Sequence, residues 1–181
     1  MRSQIVIASL GALGLACGSA GMSDTSPLPV APDLSLRTVA FARFSEGRVV
    51  ARGSFDSVDY LRAGGRLDAS RGAAVLEPEP GTGFASFGKL HVTAPRTTGH
   101  VSGQRATASG GVRFDAARGD TATTERAEYD GAAGSLRSDT PVDAQGPGYR
   151  VRGNGLLART DGSSIALLGG VRGSLQMEAQ R

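Results

Sequence analysis

Apolar or small residues alternate with polar residues along most of the chain from about residue 36 onward. Three stretches show this pattern with their apolar or small residues on one face: Val49, Ala51, Gly53 and Phe55; Leu90, Val92 and Ala94; Tyr149, Val151 and Gly153. Because successive side chains of a strand point to opposite faces, a period of two predicts half-buried β-strands. Gly, Pro, Asn and Asp interrupt the pattern about every 8 to 12 residues, as between antiparallel strands. We therefore expect an all-β protein with an antiparallel arrangement.

Short segments recur along the chain. RLDASRG at residues 66–72 resembles RFDAARG at residues 113–119, and GGVR occurs at both 110–113 and 169–172. These similarities predict repeated strand-turn units, and chance resemblance in a chain rich in Gly, Ala and Arg is the alternative. GTGFASFG at residues 81–88 has glycines but no helix after it, so we expect a hairpin or a flexible loop rather than a phosphate-binding loop.

Composition supports a thin β core. The chain has 181 residues, 27 of them glycine, and only 5% are aromatic, with no tryptophan. Glycine disfavours helices, and a scarcity of aromatics limits the apolar surface that each residue buries. One domain, possibly elongated, fits this length.

The amino terminus predicts export from the cytoplasm. Arg2 is followed by an uncharged run at residues 3–23, SQIVIASLGALGLACGSAGMS, which contains Cys17, the only cysteine of the chain. Three interpretations are open: a lipoprotein signal acylated at Cys17, an uncleaved anchor helix, or a secretory signal cut near Ala20. We expect a signal peptide or membrane anchor at residues 1–22, a proline-rich flexible linker at 23–35 and a β domain at 36–181.

Charge and motifs argue against most chemical functions. The formal charge is +3, and the arginines are spread along the chain rather than clustered, so nucleic acid is not an expected partner. The two histidines, His91 and His100, have no paired carboxylate nearby in sequence, and His100 follows TTG, which predicts a turn. No catalytic or metal-binding motif is present, so we expect no enzyme activity, no metal and no cofactor.

The order of motifs in residues 126–171 resembles the LptC and OstA-like proteins of lipopolysaccharide transport. The motifs of these proteins correspond here to Ala127, Tyr129 and Asp130; Pro141 and Val142; Gly153, Gly155 and Leu156; Gly169, Gly170 and Val171. The resemblance extends over residues 64–175. An amino terminus near a membrane followed by one small β domain resembles LptC more than the soluble bridge proteins, although LptC usually keeps a transmembrane helix.

The resemblance implies a twisted β-jellyroll, an open-edged roll of two facing antiparallel sheets with an apolar groove between them. It also implies a membrane-anchored periplasmic protein, with the inner membrane favoured, that takes lipopolysaccharide or a related glycolipid from an inner-membrane ABC exporter. The lipid would then pass to a periplasmic bridge protein similar to LptA. A groove that covers acyl chains removes surface worth about 0.8 kcal/mol per CH₂ group from water.

The groove would be lined by the inward faces of the carboxyl-terminal strands. The candidate lipid-binding residues are Phe114, Tyr129, Leu136, Val142, Val151, Leu156, Leu167 and Val171. The candidate partner edge comprises Ile165, Leu168 and Leu175, since an unpaired strand edge can pair with a neighbouring protein. Two alternatives are an outer-membrane structural lipoprotein that binds protein or glycan and a hydrolase that uses His91 or His100.

Overall fold

The structure is a computed structural model that describes residues 31–45, 47–78, 83–100 and 104–176. In this part of the chain there are twelve β-strands and one short 3-10 helix, which spans Gly83–Phe87. The strands are β1 (Leu34–Ser45), β2 (Arg48–Leu61), β3 (Arg66–Leu76), β4 (Leu90–His100), β5 (Arg105–Ala116), β6 (Thr121–Asp130), β7 (Ser135–Ser138), β8 (Val142–Gly146), β9 (Tyr149–Gly153), β10 (Gly155–Arg159), β11 (Ile165–Leu168) and β12 (Arg172–Leu175). The predicted all-β class is confirmed.

The predicted amino-terminal segments fall almost entirely outside this description. Residues 1–22, including Cys17, and residues 23–30 of the predicted linker are not among the described residues. Strand β1 begins at Leu34, just before the predicted start of the β domain. Within the described ranges, no helix is long and apolar enough to cross a bilayer. The division into anchor, linker and β domain stays a prediction.

The described strands form one antiparallel sheet that divides at β6. The order is β1-β2-β3-β4-β5-β6-β7-β10-β11, and β8, β9 and β12 form a second branch. The first residues of β6 pair with β8, whereas its last residues pair with β7. The sheet therefore has edges at β1, β11 and β12 and is not closed on itself.

A line of irregular positions crosses the sheet near the middle of each strand. The register of β1 with β2 omits Thr38 and Asp56 but pairs the residues on both sides of them. The positions omitted in the next strands are Arg71, Pro95, Gly110, Gly111 and Glu125. The line continues through the breaks between β7 and β8, between β9 and β10, and between β11 and β12. We call it the bend line.

The bend line separates two layers. Layer I comprises residues 34–37, 57–61, 66–70, 96–100, 105–109 and 126–130 with β7, β10 and β11. Layer II comprises residues 39–45, 48–55, 72–76, 90–94, 112–116 and 121–124 with β8, β9 and β12. One apolar cluster joins Ala127 and Leu136 of layer I to Ala94 and Val112 of layer II. The two layers thus face each other, which confirms the predicted two-sheet fold.

The alternation of inward and outward residues slips by one position at the bend line. Residues that pair directly across strands share a face, so the face of the apolar cluster can be followed through the registers. On β1 this inner face carries Leu36 and then Val39, three residues later instead of two. The same spacing separates Ala94 from Thr97 on β4. The slip keeps the apolar residues of both halves of a strand on the interior side.

The repeated GGVR motif marks equivalent places in the fold. Gly110 and Gly111 of one copy, and Gly169 and Gly170 of the other, all have positive φ and lie where the chain passes from layer I to layer II. Glycine adopts positive φ without the penalty that a Cβ imposes. In contrast, residues 66–72 begin β3 and cross its bend, whereas residues 113–119 lie beyond the bend of β5. The similar segments at residues 66–72 and 113–119 therefore do not occupy equivalent places in the fold.

Residues 83–88 lie in the connection between the antiparallel partners β3 and β4, which agrees with the predicted hairpin, and Gly83–Phe87 forms a short 3-10 helix there. One local prediction is wrong. The TTG segment, residues 97–99, is not a turn, because β4 continues through it and Gly99 pairs with Leu67 and Ala106 on the two sides. Small polar residues such as those at 97–99 thus also occur within a strand, here just after its bend.

Candidate functional site

The inner faces of the two layers enclose an apolar interior. Its most buried part is the cluster of Ala94, Val112 and Ala127, against which Val92 and Phe114 pack. These residues lie close to the bend line, where the strands pass from one layer to the other.

The carboxyl-terminal part of the interior, formed by the inner faces of β6 to β10, is closed. Val142 is 2% exposed and Ser138 is 1% exposed. A Cβ added to Gly153 of layer II would lie 3.1 Å from the Cβ of Leu167 in layer I. The absence of a side chain at Gly153 therefore allows the two layers to approach closely. We call this part the closed region.

Hydrogen bonds stabilise the polar residues of the closed region. The hydroxyl oxygens of Thr124 and Ser138 are 2.8 Å apart, and those of Thr124 and Thr140 are also 2.8 Å apart. The backbone N–H of Thr140 donates to Ser138 Oγ at 3.2 Å. No buried side-chain nitrogen or oxygen among the described residues lacks a partner, so this network avoids the cost of an unsatisfied polar group.

The amino-terminal part of the interior, formed by the inner faces of β1 to β3, is open. Leu34 is 49% exposed and Leu36 is 42% exposed, although the registers place both on the inner face of layer I. Their cross-strand partners Tyr60 and Val58 are only half-buried. This part, which we call the open region, presents large apolar side chains to solvent.

Aromatic rings line layer II in the open region. Phe41 and Phe55 stack with their ring centroids 5.3 Å apart. Gly53 lies directly opposite Phe41, and Gly72 lies directly opposite Phe55. A Cβ at Gly72 would come within 2.8 Å of Phe55 Cδ1, so glycine makes space for the ring on the sheet surface.

One hydrogen bond joins the layers away from the bend line. Arg43 Nη1 of β1 donates to Tyr129 Oη of β6 at 2.9 Å. Arg43 belongs to layer II and Tyr129 to layer I, and both lie near the ends of their strands. The sequence analysis selected Tyr129 but missed Arg43, because its partner is 86 residues away in the chain.

Most of the predicted groove residues lie on the inner face. The registers place Phe114, Tyr129, Leu136, Val142, Val151, Leu156 and Leu167 there. Val171 instead lies in the bend between β11 and β12 and is exposed. The predicted set did not include the open region, where Leu34 and Leu36 are accessible. Lipid binding by any of these residues stays a prediction.

The predicted partner residues lie on edge strands. β11 pairs only with β10, and β12 pairs only with β9, in the part of the chain that the structure describes. Ile165 and Leu168 of β11 are exposed, and Leu175 of β12 is 79% exposed. All large apolar residues that are exposed in the described ranges lie on β1 or in the segment from β10 to β12. Apolar exposure is thus concentrated at the edges of the sheet.

The histidines lie on the outer face. His91 of β4 lines an open depression of about 470 Å³ with Arg52, Val75 and Thr93, and no carboxylate lines this depression. His100 is exposed at the end of β4. No group of three or more metal-ligating side chains occurs in the described ranges. In the register of β4 with β5, His91 lies opposite Asp115.

Comparisons with known proteins agree with this geometry. The family model described as LptC, lipopolysaccharide-assembly, LptC-related, matches residues 79–176. No curated protein matches the chain in sequence. A similar solved structure is LptH from Pseudomonas aeruginosa, the LptA homologous periplasmic component of a lipopolysaccharide transport device, with 11% identity and a TM-score of 0.52. The match covers 70% of this chain and 95% of LptH, and at this identity it shows the fold alone.

Proposed function

Because this chain belongs to the LptC-related family of lipopolysaccharide-assembly proteins, we propose that it is a membrane-tethered carrier of lipopolysaccharide in the periplasm. Its family and its jellyroll fold support a role in lipopolysaccharide transport. The finer proposal is that acyl chains enter the apolar interior and pass from an inner-membrane exporter to a periplasmic bridge protein. The exposure of Leu34 and Leu36 on the inner face is the observation that carries it.

The open region supplies the physical basis for binding acyl chains. Large apolar side chains that face an interior and still contact solvent gain free energy when hydrocarbon replaces the water beside them. Each CH₂ group removed from water contributes about 0.8 kcal/mol, so a chain segment of six such groups gains about 5 kcal/mol. Leu36, Val58 and Phe41 offer such a surface from both layers.

The edges of the sheet supply the basis for contact with other transport proteins. An unpaired edge strand exposes backbone N–H and C=O groups that another strand can pair with. β1 at one end, and β11 and β12 at the other, are such edges in the described part of the chain. We propose that Ile165, Leu168 and Leu175 contact the bridge protein, so that the apolar interior continues into the next molecule.

The proposal that the protein is tethered at the membrane rests on the amino-terminal sequence. Cys17, if acylated, would anchor the β domain through a proline-containing linker, and an uncleaved helix would do so without acylation. Mass spectrometry of the mature amino terminus distinguishes these outcomes. An acylated Cys17 supports the lipoprotein form, and an intact residue 1 supports the anchor helix. Loss of the whole segment would contradict tethering through the amino terminus.

Site-specific photocrosslinking tests the carrier proposal. A photoreactive residue at Leu36, on the inner face of the open region, is expected to form lipopolysaccharide adducts in cells. Arg37 is the matched control, since it is adjacent in sequence but pairs with Ser57 on the outer face. Equal lipid adducts at Leu36 and Arg37, or protein adducts alone at Leu36, would contradict transport through the interior.

A further inference from the structure

The inner face carries one charged side chain in an otherwise uncharged lining. Among the described strand residues, Arg43 is the only charged residue whose cross-strand partner lies on the inner face. It pairs with Ala51, next to the pair of Phe41 and Gly53, and the register shifts between Arg43 and Phe44. The remaining inner positions are apolar, small or hydroxyl-bearing. Arg43 is exposed, so solvent and ligands reach its guanidinium group at the edge of this lining.

No carboxylate of the described residues forms an ion pair with Arg43. Ion pairs in the described part of the chain join arginines and Lys89 to nearby carboxylates on the outer face, for example Arg105 to Asp130 at 3.0 Å and Arg113 to Asp115 at 2.6 Å. Arg43 takes part in none of the ion pairs described, and its hydrogen bond goes to the neutral phenol of Tyr129. A guanidinium group has five N–H donors, so one such bond leaves most of them free for an anion.

The position of Arg43 suits a headgroup rather than an acyl chain. Thr38 marks the bend on β1, and Arg43 lies five residues beyond it, near the end of the strand. At about 3.3 Å per residue, its Cα is roughly 16 Å from the bend. An amphiphile with its chains in the interior would therefore present its polar group at this level. Tyr129 holds the guanidinium across the opening between the layers.

We propose that Arg43 is a specificity-determining residue that binds the phosphate group of an acylated amphiphile whose chains lie in the interior. This inference rests on the proposed function, because it requires that acyl chains enter between the layers. Arginine binds phosphate through two parallel N–H···O bonds, a geometry that the lysine ammonium does not reproduce. On binding, Arg43 exchanges its bond to Tyr129 for bonds to the phosphate oxygens.

The test compares two amphiphiles that differ only in phosphate. A diacyl phosphatidic acid and the diacylglycerol with the same chains are titrated calorimetrically, in nonionic detergent, against the full chain. Hydrogen bonds to charged groups contribute about 1.5–3 kcal/mol, so we expect at least about a tenfold tighter dissociation constant for the phosphorylated amphiphile. The Arg43→Gln variant should lose this preference, and Arg43→Lys should retain only part of it.

Matched controls separate this effect from general charge. Arg37 lies on the same strand but faces outward beside Ser57, so Arg37→Gln should keep the preference. Inorganic phosphate in large excess should not displace the amphiphile; displacement would assign the site to a free anion and overturn the proposal.

The outcomes distinguish this proposal from the proposed function. If the unchanged chain binds both amphiphiles with equal affinity, or if Arg43→Gln keeps the preference, the role of Arg43 is refuted while the carrier function stands. If the unchanged chain binds neither amphiphile, the proposed binding of acyl chains fails, and the inference about Arg43 fails with it.

Discussion

The closed and open regions belong to the same inner face but differ in side-chain size and exposure. In the closed region, Val142 and Ser138 are almost completely buried, and Gly153 allows Leu167 of the opposite layer to approach. In the open region, Leu34 and Leu36 face the interior and are nearly half exposed. A single continuous sheet surface therefore provides a sealed core on β6 to β10 and accessible apolar surface on β1 to β3.

The inner-face residues account for this difference. In the closed region several are small: Ala122, Ala127, Ser138, Ala144, Gly153 and Ala158. In the open region most are large: Leu34, Leu36, Phe41, Phe55, Tyr60 and Leu67. Small residues let two sheets pack against each other, whereas large side chains need more depth between the layers. The closed region thus contributes mainly to the stability of the fold, and the open region gives access to the interior.

The largest expected difference comes from placing a carboxylate in each region. Val142→Asp buries a charge in the closed region and should destabilise the fold by about 3–5 kcal/mol or prevent folding, because no cation lies there to compensate it. Leu36→Asp, in the open region, should lower the free energy of unfolding by less than about 1 kcal/mol, since water still reaches the carboxylate. Urea unfolding followed by far-ultraviolet circular dichroism measures both.

The comparison of Val142 with Leu36 also has a binding readout. If Leu36→Asp leaves the fold intact, its lipopolysaccharide crosslinking from a photoreactive residue at Val58, the inner-face partner of residue 36, should fall, because the entrance for acyl chains becomes polar. Similar losses of stability in both variants would show that the open region is as sealed as the closed one. That result would remove the division between core and accessible surface.

A smaller difference is expected from a matched pair of serines. Ser138→Ala removes one hydroxyl from the buried network with Thr124 and Thr140 and should cost about 1–2 kcal/mol, because it leaves the N–H of Thr140 without its acceptor. Ser57→Ala removes the hydrogen bond of 2.7 Å between the hydroxyl groups of Ser57 and Ser70. Ser57, however, is half-buried on the outer face of β2. There water replaces the lost partner, so we expect less than about 0.5 kcal/mol. Equal costs in urea unfolding would contradict the special role of burial in the closed region.

The sequence predicted the class of the fold and the orientation of its strands. The faces assigned to Val49, Ala51 and Gly53, and to Tyr149 and Val151, agree with the registers. Alternation succeeds here because a half-buried strand has to place its apolar residues on one side. The bend line was not predicted, although its signal is present: the spacing of three from Leu36 to Val39, and from Ala94 to Thr97, breaks the period of two.

The open region and Arg43 could not be predicted, for a different reason. The exposure of Leu34 and Leu36 depends on how far the second layer extends over them, which local alternation does not encode. Likewise, the position of Arg43 opposite Tyr129 depends on the relative position of the two layers, not on β1 alone. Sequence analysis therefore selected groove residues mainly from the carboxyl-terminal strands, where the family resemblance was clearest, and these lie largely in or near the closed region.

The smallest expected effect is a dependence of stability on alkaline pH at the rim of the closed region. Burial, together with the hydrogen bond of 2.8 Å that Tyr149 donates to Asp120, raises the pKa of Tyr149 to about 12. The unfolded chain releases this proton near pH 10. The stabilisation is therefore complete below about pH 10 and is lost as the pH rises through about 12, because the unfolded state then binds fewer protons than the native state.

Urea midpoints measured between pH 9 and 12 should decline less for Tyr149→Phe than for the unchanged chain, and Asp120→Asn should give an intermediate slope. Parallel declines in all three proteins would show that the rim of the closed region is as hydrated as the open region.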